Sequence, residues 1–154
     1  MIPKKIRKIL DSMDFIAVAT CNLKMQTSAV YKFLLKVEDD TIYLVDFVKG
    51  KTWQNIRINP KISLSVMDRD DYINYQINGS AHSLIKGLIY KQLLEEFSKK
   101  QIDFYSRRII EGIRRGRAHK NINAPFPRQL TILRIKVEEV VELGPAAEAR
   151  RGER

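Results

Sequence analysis

The sequence predicts a mainly β protein, a small antiparallel barrel with helices at its ends. Three observations carry this. Five segments rich in β-branched and aromatic residues precede residue 85, most are joined by short hairpin connections, and no helix of crossover length separates the first three. One helical excursion then interrupts before a last strand pattern closes the sheet.

Pro3 at a first helical position, followed by Ile6, Ile9 and Leu10, predicts a short amphipathic helix over residues 3–12. "FIAVATCN" (15–22), "TSAVYKFLLKV" (27–37) and "TIYLVDF" (41–47) read as an antiparallel meander, with "EDD" as the turn between the last two. Thr52 is expected to cap a short helix, "WQNIRI", which Asn59-Pro60 stops because the residue before proline is pushed out of the helical region. "KISLSVMD" (61–68) and "DYINYQINGSAHSL" (71–84) form a second hairpin, kinked at Gly79.

From Lys86 the apolar period becomes helical. Leu88, Leu93, Leu94 and Phe97 predict one helix, and Phe104, Ile109, Ile110 and Ile113 within Asp103 to Gly116 predict another. "AHKNINAPFPRQ" has the prolines and asparagines of a loop, "LTILRIKVEEVVEL" returns to strand alternation, and "AAEARRGER" has little to bury. One domain is expected over 1–145, with a helical insertion at about 86–117 and a frayed tail at 146–154.

A chain of 154 residues is long enough for one core that buries about two-thirds of the unfolded surface. It has no run of eighteen apolar residues, and "MIPKKIRKILDSMDF" carries charge throughout, so neither a membrane span nor a signal peptide is expected and the location read from the sequence is cytoplasmic. The single Cys21 leaves no intramolecular disulfide and reads as a small buried thiol rather than a nucleophile. A net charge of +10 suggests an anionic partner: nucleic acid, anionic lipid or a phosphorylated small molecule. Much of the excess is local, with seven Lys or Arg between Gln101 and Arg128 against Asp103 and Glu111.

"DFVKGKTWQNIRINPKISL" (46–64) sets Gly-Lys-Thr directly after a strand. It is not a P-loop, because the leading glycine of that motif would fall at Val45. Lys49, Lys51 and Thr52 instead meet a helix N-terminus, whose unpaired N–H groups and dipole favour a single phosphate. Local sequence leaves open the plainer alternative, in which Thr52 only caps the helix and the lysines are solvated. His82 and His119 have no partner at ligand spacing, so no metal site is expected. The segment with Arg107, Arg108, Arg114, Arg115 and Arg117 could grip a phosphate backbone or an anionic substrate, although a solvated face is the commoner outcome. Only Phe104 and Tyr105 interleave it, too few for a stacking platform, so nucleic acid is not the favoured partner.

"GKTWQNIRINPKISLSV" following "TIYLVDF" resembles the signature of the pyridoxamine 5′-phosphate oxidase-like flavoproteins, the FMN-binding split barrels. "TSAVYKFLL" is similar to their second strand, "YQINGSAHSL" to their fifth and "RQLTILRIKVEEVVEL" to their last, in the same order over residues 3–84 and 128–143. The resemblance implies a six-stranded antiparallel split β-barrel with flanking helices that pairs into a homodimer, with FMN in a groove at the subunit interface. It further implies that Ser28, Ala29, Val30 and Tyr31 line the isoalloxazine, with Lys32 aimed at the cofactor or the dimer partner. Val45 and Asp46 would lie beside the ribityl chain or ring. Lys51 and Thr52 would hold the phosphate, Asn55 would face it from one turn along, and Tyr75 and Gln76 would approach the ring from the other subunit.

The founding oxidase has a C-terminal Trp and Arg for its substrate. Here the only Trp is Trp53, so the resemblance implies a relative rather than that oxidase. The function expected is hydride transfer between flavin and a small or cofactor-like substrate, such as a nicotinamide dinucleotide, with no catalytic side chain named because the cofactor carries the chemistry. The alternatives are a non-catalytic carrier or sensor of FMN, haem or deazaflavin and, less favoured, a nucleic-acid module using the basic helix.

Overall fold

The computed structural model describes residues 2–116 and 130–144. Helix α1 (Lys4–Asp11) is followed by β1 (Phe15–Cys21), β2 (Thr27–Glu38), β3 (Thr41–Asp46), α2 (Lys51–Ile58), β4 (Lys61–Asp68), β5 (Ile73–Leu84), α3 (Leu88–Arg114) and β6 (Thr131–Leu143). The strands close an antiparallel barrel in the order β1-β2-β3-β6-β5-β4. The fold is the six-stranded antiparallel barrel with flanking helices that the strand pattern predicts.

Alternation puts one face of each strand inside: Ile16, Leu34, Leu44, Leu64, Ile77 and Ile135 are all fully buried. Each such side chain contributes about 1.5–3 kcal/mol through burial. α1 adds Ile6 and Leu10 to this core, and Pro3 stands just before its first turn as the N-cap. Lys5 Nζ ties the helix to the β4–β5 turn, 2.7 Å from Asp71 Oδ2 and 3.3 Å from Asp68 Oδ2. A second core lies outside the barrel, where Phe33, Tyr43 and Val45 meet Leu93 and Phe97 of α3.

Gly79 is required by close approach. A Cβ there would stand 2.2 Å from the Lys136 carbonyl oxygen, at the register shift between Asn78 and Gly79 in the β5–β6 ladder. The β2–β3 turn is tighter than "EDD", since Glu38 stays in β2 and Asp39 takes φ 48°, a left-handed value that Asp tolerates.

Two expectations need correction. Residues 88–114 form one helix rather than two, because Gln101 continues the barrel-facing row between Phe97 and Phe104 where no apolar residue does. Ile109, Ile110 and Ile113 do not share the apolar face of Phe104; they are exposed. Helix α2 is capped by Gly50, not Thr52, which is its second residue. Arg117, His119, Lys120, Arg128, the 118–129 loop and the 146–154 tail lie outside the described residues. No described helix is long and apolar enough to cross a membrane.

Candidate functional site

β2 is longer than its neighbour on one side. It pairs with β1 from Thr27 to Phe33, but with β3 only from Phe33 to Glu38. Between Thr27 and Lys32 the barrel is therefore split. The Leu34 N–H donates to the Asp14 carbonyl at 2.9 Å, and with the β1–β2 register this puts Lys32, Val30 and Ser28 at the hydrogen-bonded positions of that ladder. Ala29 and Tyr31 consequently turn their backbone N–H and C=O groups away from β1, toward the side with no strand neighbour. Val30 is 39% exposed and Tyr31 74% exposed on this stretch.

Lys32 and Asp46 form an ion pair where β2 and β3 diverge. Both are largely buried, with side-chain exposures of 11% and 1%. Asp46 Oδ2 has no hydrogen-bond partner among the described residues, and neither does Oγ1 of Thr131, the residue paired with Asp46 across β3–β6. Burying an acceptor unpaired costs about 1–3 kcal/mol. An orphaned carboxylate oxygen at a strand end is therefore a place for a ligand hydroxyl or N–H. Val45, one residue earlier, points away into the core beneath α3.

α2 begins five residues beyond Asp46 and packs on β1, β5 and β2. The N–H groups of Lys51, Thr52 and Trp53 have no acceptor within the helix, and the first turn carries no acidic side chain. The Lys51 side chain is exposed, while Thr52 is buried. Trp53 has two cations over its ring, Lys49 Nζ at 5.6 Å and the Arg57 guanidinium at 4.6 Å from the centroid. The sequence reading missed Arg57; its signal is the i, i+4 spacing from Trp53.

Asn55 does not face the helix start. It is 1% exposed and donates from Nδ2 to Thr20 Oγ1 at 3.1 Å. Asn59 donates likewise to the Cys21 carbonyl at 3.1 Å, so the two asparagines bolt α2 onto the end of β1. Cys21 is half-buried beside Asn59 rather than enclosed in the core. Tyr75 is also elsewhere, with its ring in the barrel interior and Lys5 Nζ 6.0 Å from its centroid. Gln76 lies on the outer face, donating to Ser63 Oγ at 3.1 Å and Asn78 Oδ1 at 3.0 Å. Beside it is a shallow groove of about 510 Å³ lined by Ala19, Cys21, Ala29, Ser63 and Asn78 among others.

A family model described as pyridoxamine 5′-phosphate oxidase matches residues 2–143. The chain belongs to the pyridoxamine 5′-phosphate oxidase family. No curated protein matches it. Among solved structures, a putative pyridoxamine 5′-phosphate oxidase from Lactobacillus delbrueckii is 14% identical, with a TM-score of 0.65 over 91% of this chain and 93% of that one. HupZ from Group A Streptococcus is 22% identical, with a TM-score of 0.63 over 94% and 96%. The haem storage protein HutZ from Vibrio cholerae is 10% identical, with a TM-score of 0.62 over 89% and 91%. At these identities the neighbours establish the barrel, and this member of the pyridoxamine 5′-phosphate oxidase family is read from its own residues.

Of the residues singled out from sequence, the structure brings Lys32 to Asp46 at the end of β3, leaves Ala29 and Tyr31 on the unpaired edge of β2, and puts Lys51 and Thr52 in the first turn of α2, which packs against β2. It sends Asn55 inward, Tyr75 into the core and Gln76 to the outer sheet face. The described residues hold no group of three or more His, Cys, Asp or Glu that could ligate a metal.

Proposed function

We propose that this family member is an FMN-binding flavoprotein, a homodimeric oxidoreductase that moves a hydride between flavin and a small or cofactor-like substrate, distinct from pyridoxamine 5′-phosphate oxidase itself. One observation carries the reading: β2 has an open edge at Ala29 and Tyr31, and the helix that packs against it, α2, has an uncapped start at Lys51 and Thr52. A flat ring with amide-like edges needs the first, and a terminal phosphate needs the second.

The orphaned Asp46 Oδ2 supports the fit, since a hydroxyl-bearing chain between ring and phosphate offers the donors it lacks. Lys32 pairs with Asp46 and holds its side chain in place, and Lys51, with Lys49 nearby in the chain, supplies charge to the phosphate. The uncovered outer face of β1, β2, β4 and β5, with Gln76 beside its groove, is the surface on which we seat the second copy. Bound FMN would supply the two-electron chemistry, and the chain's own groups orient it and exclude water.

Lys51→Ala tests the phosphate seat. We expect FMN affinity to fall by about 1.5–3 kcal/mol, the range for a hydrogen bond to a charged group, read by quenching of flavin fluorescence. Unchanged affinity would move the seat elsewhere. Anaerobic bleaching of the flavin band by NADH or NADPH, followed by turnover with an added acceptor, separates an enzyme from a carrier. The likeness to the haem storage protein HutZ favours a second reading, haem carriage in the same fold; a haem absorption band in a preparation that FMN cannot reconstitute would establish that reading instead.

A further inference from the structure

The five phenylalanines among the described residues converge at one place outside the barrel, where α3 crosses β1, β2 and the end of β3. Phe15, Phe33, Phe47, Phe97 and Phe104 line an open cavity of about 150 Å³, with Gln101, Tyr105 and Arg108 completing it. Phe33 and Phe97 form its buried floor, 4% and 3% exposed, whereas Phe15 is 38% exposed at the mouth. The rings meet mostly edge to face, at centroid distances of 5.5 Å for Phe15 and Phe33, 5.5 Å for Phe33 and Phe97, and 5.7 Å for Phe15 and Phe104.

Pure core packing would fill such a space. A cavity of about 150 Å³ lined by apolar groups is the size that admits one benzene ring, and edge-to-face walls favour an aromatic guest over an aliphatic one. The charge at the rim is equally specific. Arg107 is committed to Asp14, with Nη2 2.8 Å from Oδ1, so the only carboxylate adjoining Phe15 in the chain already has its cation. The Arg108 guanidinium stands 5.4 Å from the Phe104 centroid and makes no ion pair among the described residues. Gln101, which also lines the cavity, adds an amide N–H donor.

The geometry points to a binding site for a small aromatic carboxylate, its ring among Phe15, Phe33, Phe97 and Phe104 and its carboxylate on Arg108. This site is separate from the β2 edge and helix start, so it stands or falls independently of the flavin reading. Phe47 is the residue after Asp46, and occupancy would put an aromatic acid next along the chain from the proposed cofactor groove.

The test uses the full chain without added flavin and three probes followed by ligand-observed NMR: benzoate, benzyl alcohol and cyclohexanecarboxylate. Benzoate is expected to bind tightest, with both controls at least several-fold weaker. Arg108→Gln should weaken benzoate about tenfold, the loss of one charge-assisted contact, while leaving benzyl alcohol unchanged. Phe15→Leu, at the exposed mouth, should weaken benzoate and benzyl alcohol alike, with an unchanged melting curve showing that the fold is intact. Benzoate that binds no better than cyclohexanecarboxylate, or equally well to Arg108→Gln, would overturn the proposal.

Discussion

Replacing Lys32 with Met isolates the ion pair that holds Asp46. The Met side chain keeps most of the apolar stem but removes the ammonium that meets Asp46 Oδ1. What remains is a carboxylate with 1% side-chain exposure, one oxygen newly stripped of its partner and the other already without one. Breaking a buried pair from one side costs about 3–5 kcal/mol. Lys32 retains 11% exposure through which water can reach the gap, so the low end applies, about 3 kcal/mol, or roughly 6–12 °C in Tm for a domain of this size. Urea unfolding of the wild type, Lys32→Met, Asp46→Leu and the double variant measures it. The double variant should recover most of the loss, because an apolar pair of similar volume carries no desolvation penalty. A Lys32→Met loss below about 1 kcal/mol, or a double variant no better than the single, would refute the view that Lys32 compensates a buried charge.

Gly79→Ala should destabilise the barrel by about 1–3 kcal/mol or more in denaturant unfolding, because its Cβ must push β5 off the Lys136 carbonyl. Asn55→Ala should cost about 1–3 kcal/mol by leaving the buried Thr20 hydroxyl unpaired; pairing it with Thr20→Val should return part of that, and simple additivity of the two changes would argue against the bond. The Lys5 link to Asp68 has a defined pH window. Burial alone would raise the Asp68 carboxyl, but the Asp71 N–H and the Lys5 ammonium outweigh it and hold it below its usual 3.8, while hydrogen bonds to Asp71 and Asp68 raise Lys5 above 10.5. Asp68 therefore stabilises above its unfolded value and loses this as pH falls through its folded one; Lys5 stabilises below 10.5 and loses this only at higher pH. The stability gap between wild type and Lys5→Met should narrow from pH 7 to about pH 3, and a gap that stays constant would show that the charges do not contribute.

The strands were legible because their alternation matches what the barrel buries: Ile16 and Val18, Ile42 and Leu44, and Ile62, Leu64 and Val66 all point inward as their period requires. The continuity of α3 was not. "SKKQID" interrupts the apolar rhythm, yet its residues propagate a helix well, and Gln101 holds the barrel-facing place between Phe97 and Phe104. The site was half legible. Lys49 and Lys51 at the start of α2 announce themselves by composition, whereas the inward turn of Asn55 depends on Thr20, thirty-five positions away. Lys32 and Asp46 meet because the register that pairs Phe33 with Val45 sets them opposite one another at the next step, and that register cannot be read from either segment alone. These five phenylalanines come from β1, β2, the residue just after β3, and α3, and no local pattern joins them.

We propose that a flavin phosphate sits at the start of α2 with its ring along the open edge of β2. Parallel titration of the flavin-free protein with FMN and with riboflavin tests it most directly, since the two ligands differ only in that phosphate. FMN is expected to bind about 30- to 1,000-fold more tightly, corresponding to about 2–4 kcal/mol from charge-assisted contacts at Lys51 and the free N–H groups. Equal affinity for the two, or no flavin binding at all, would refute a flavin phosphate at the start of α2.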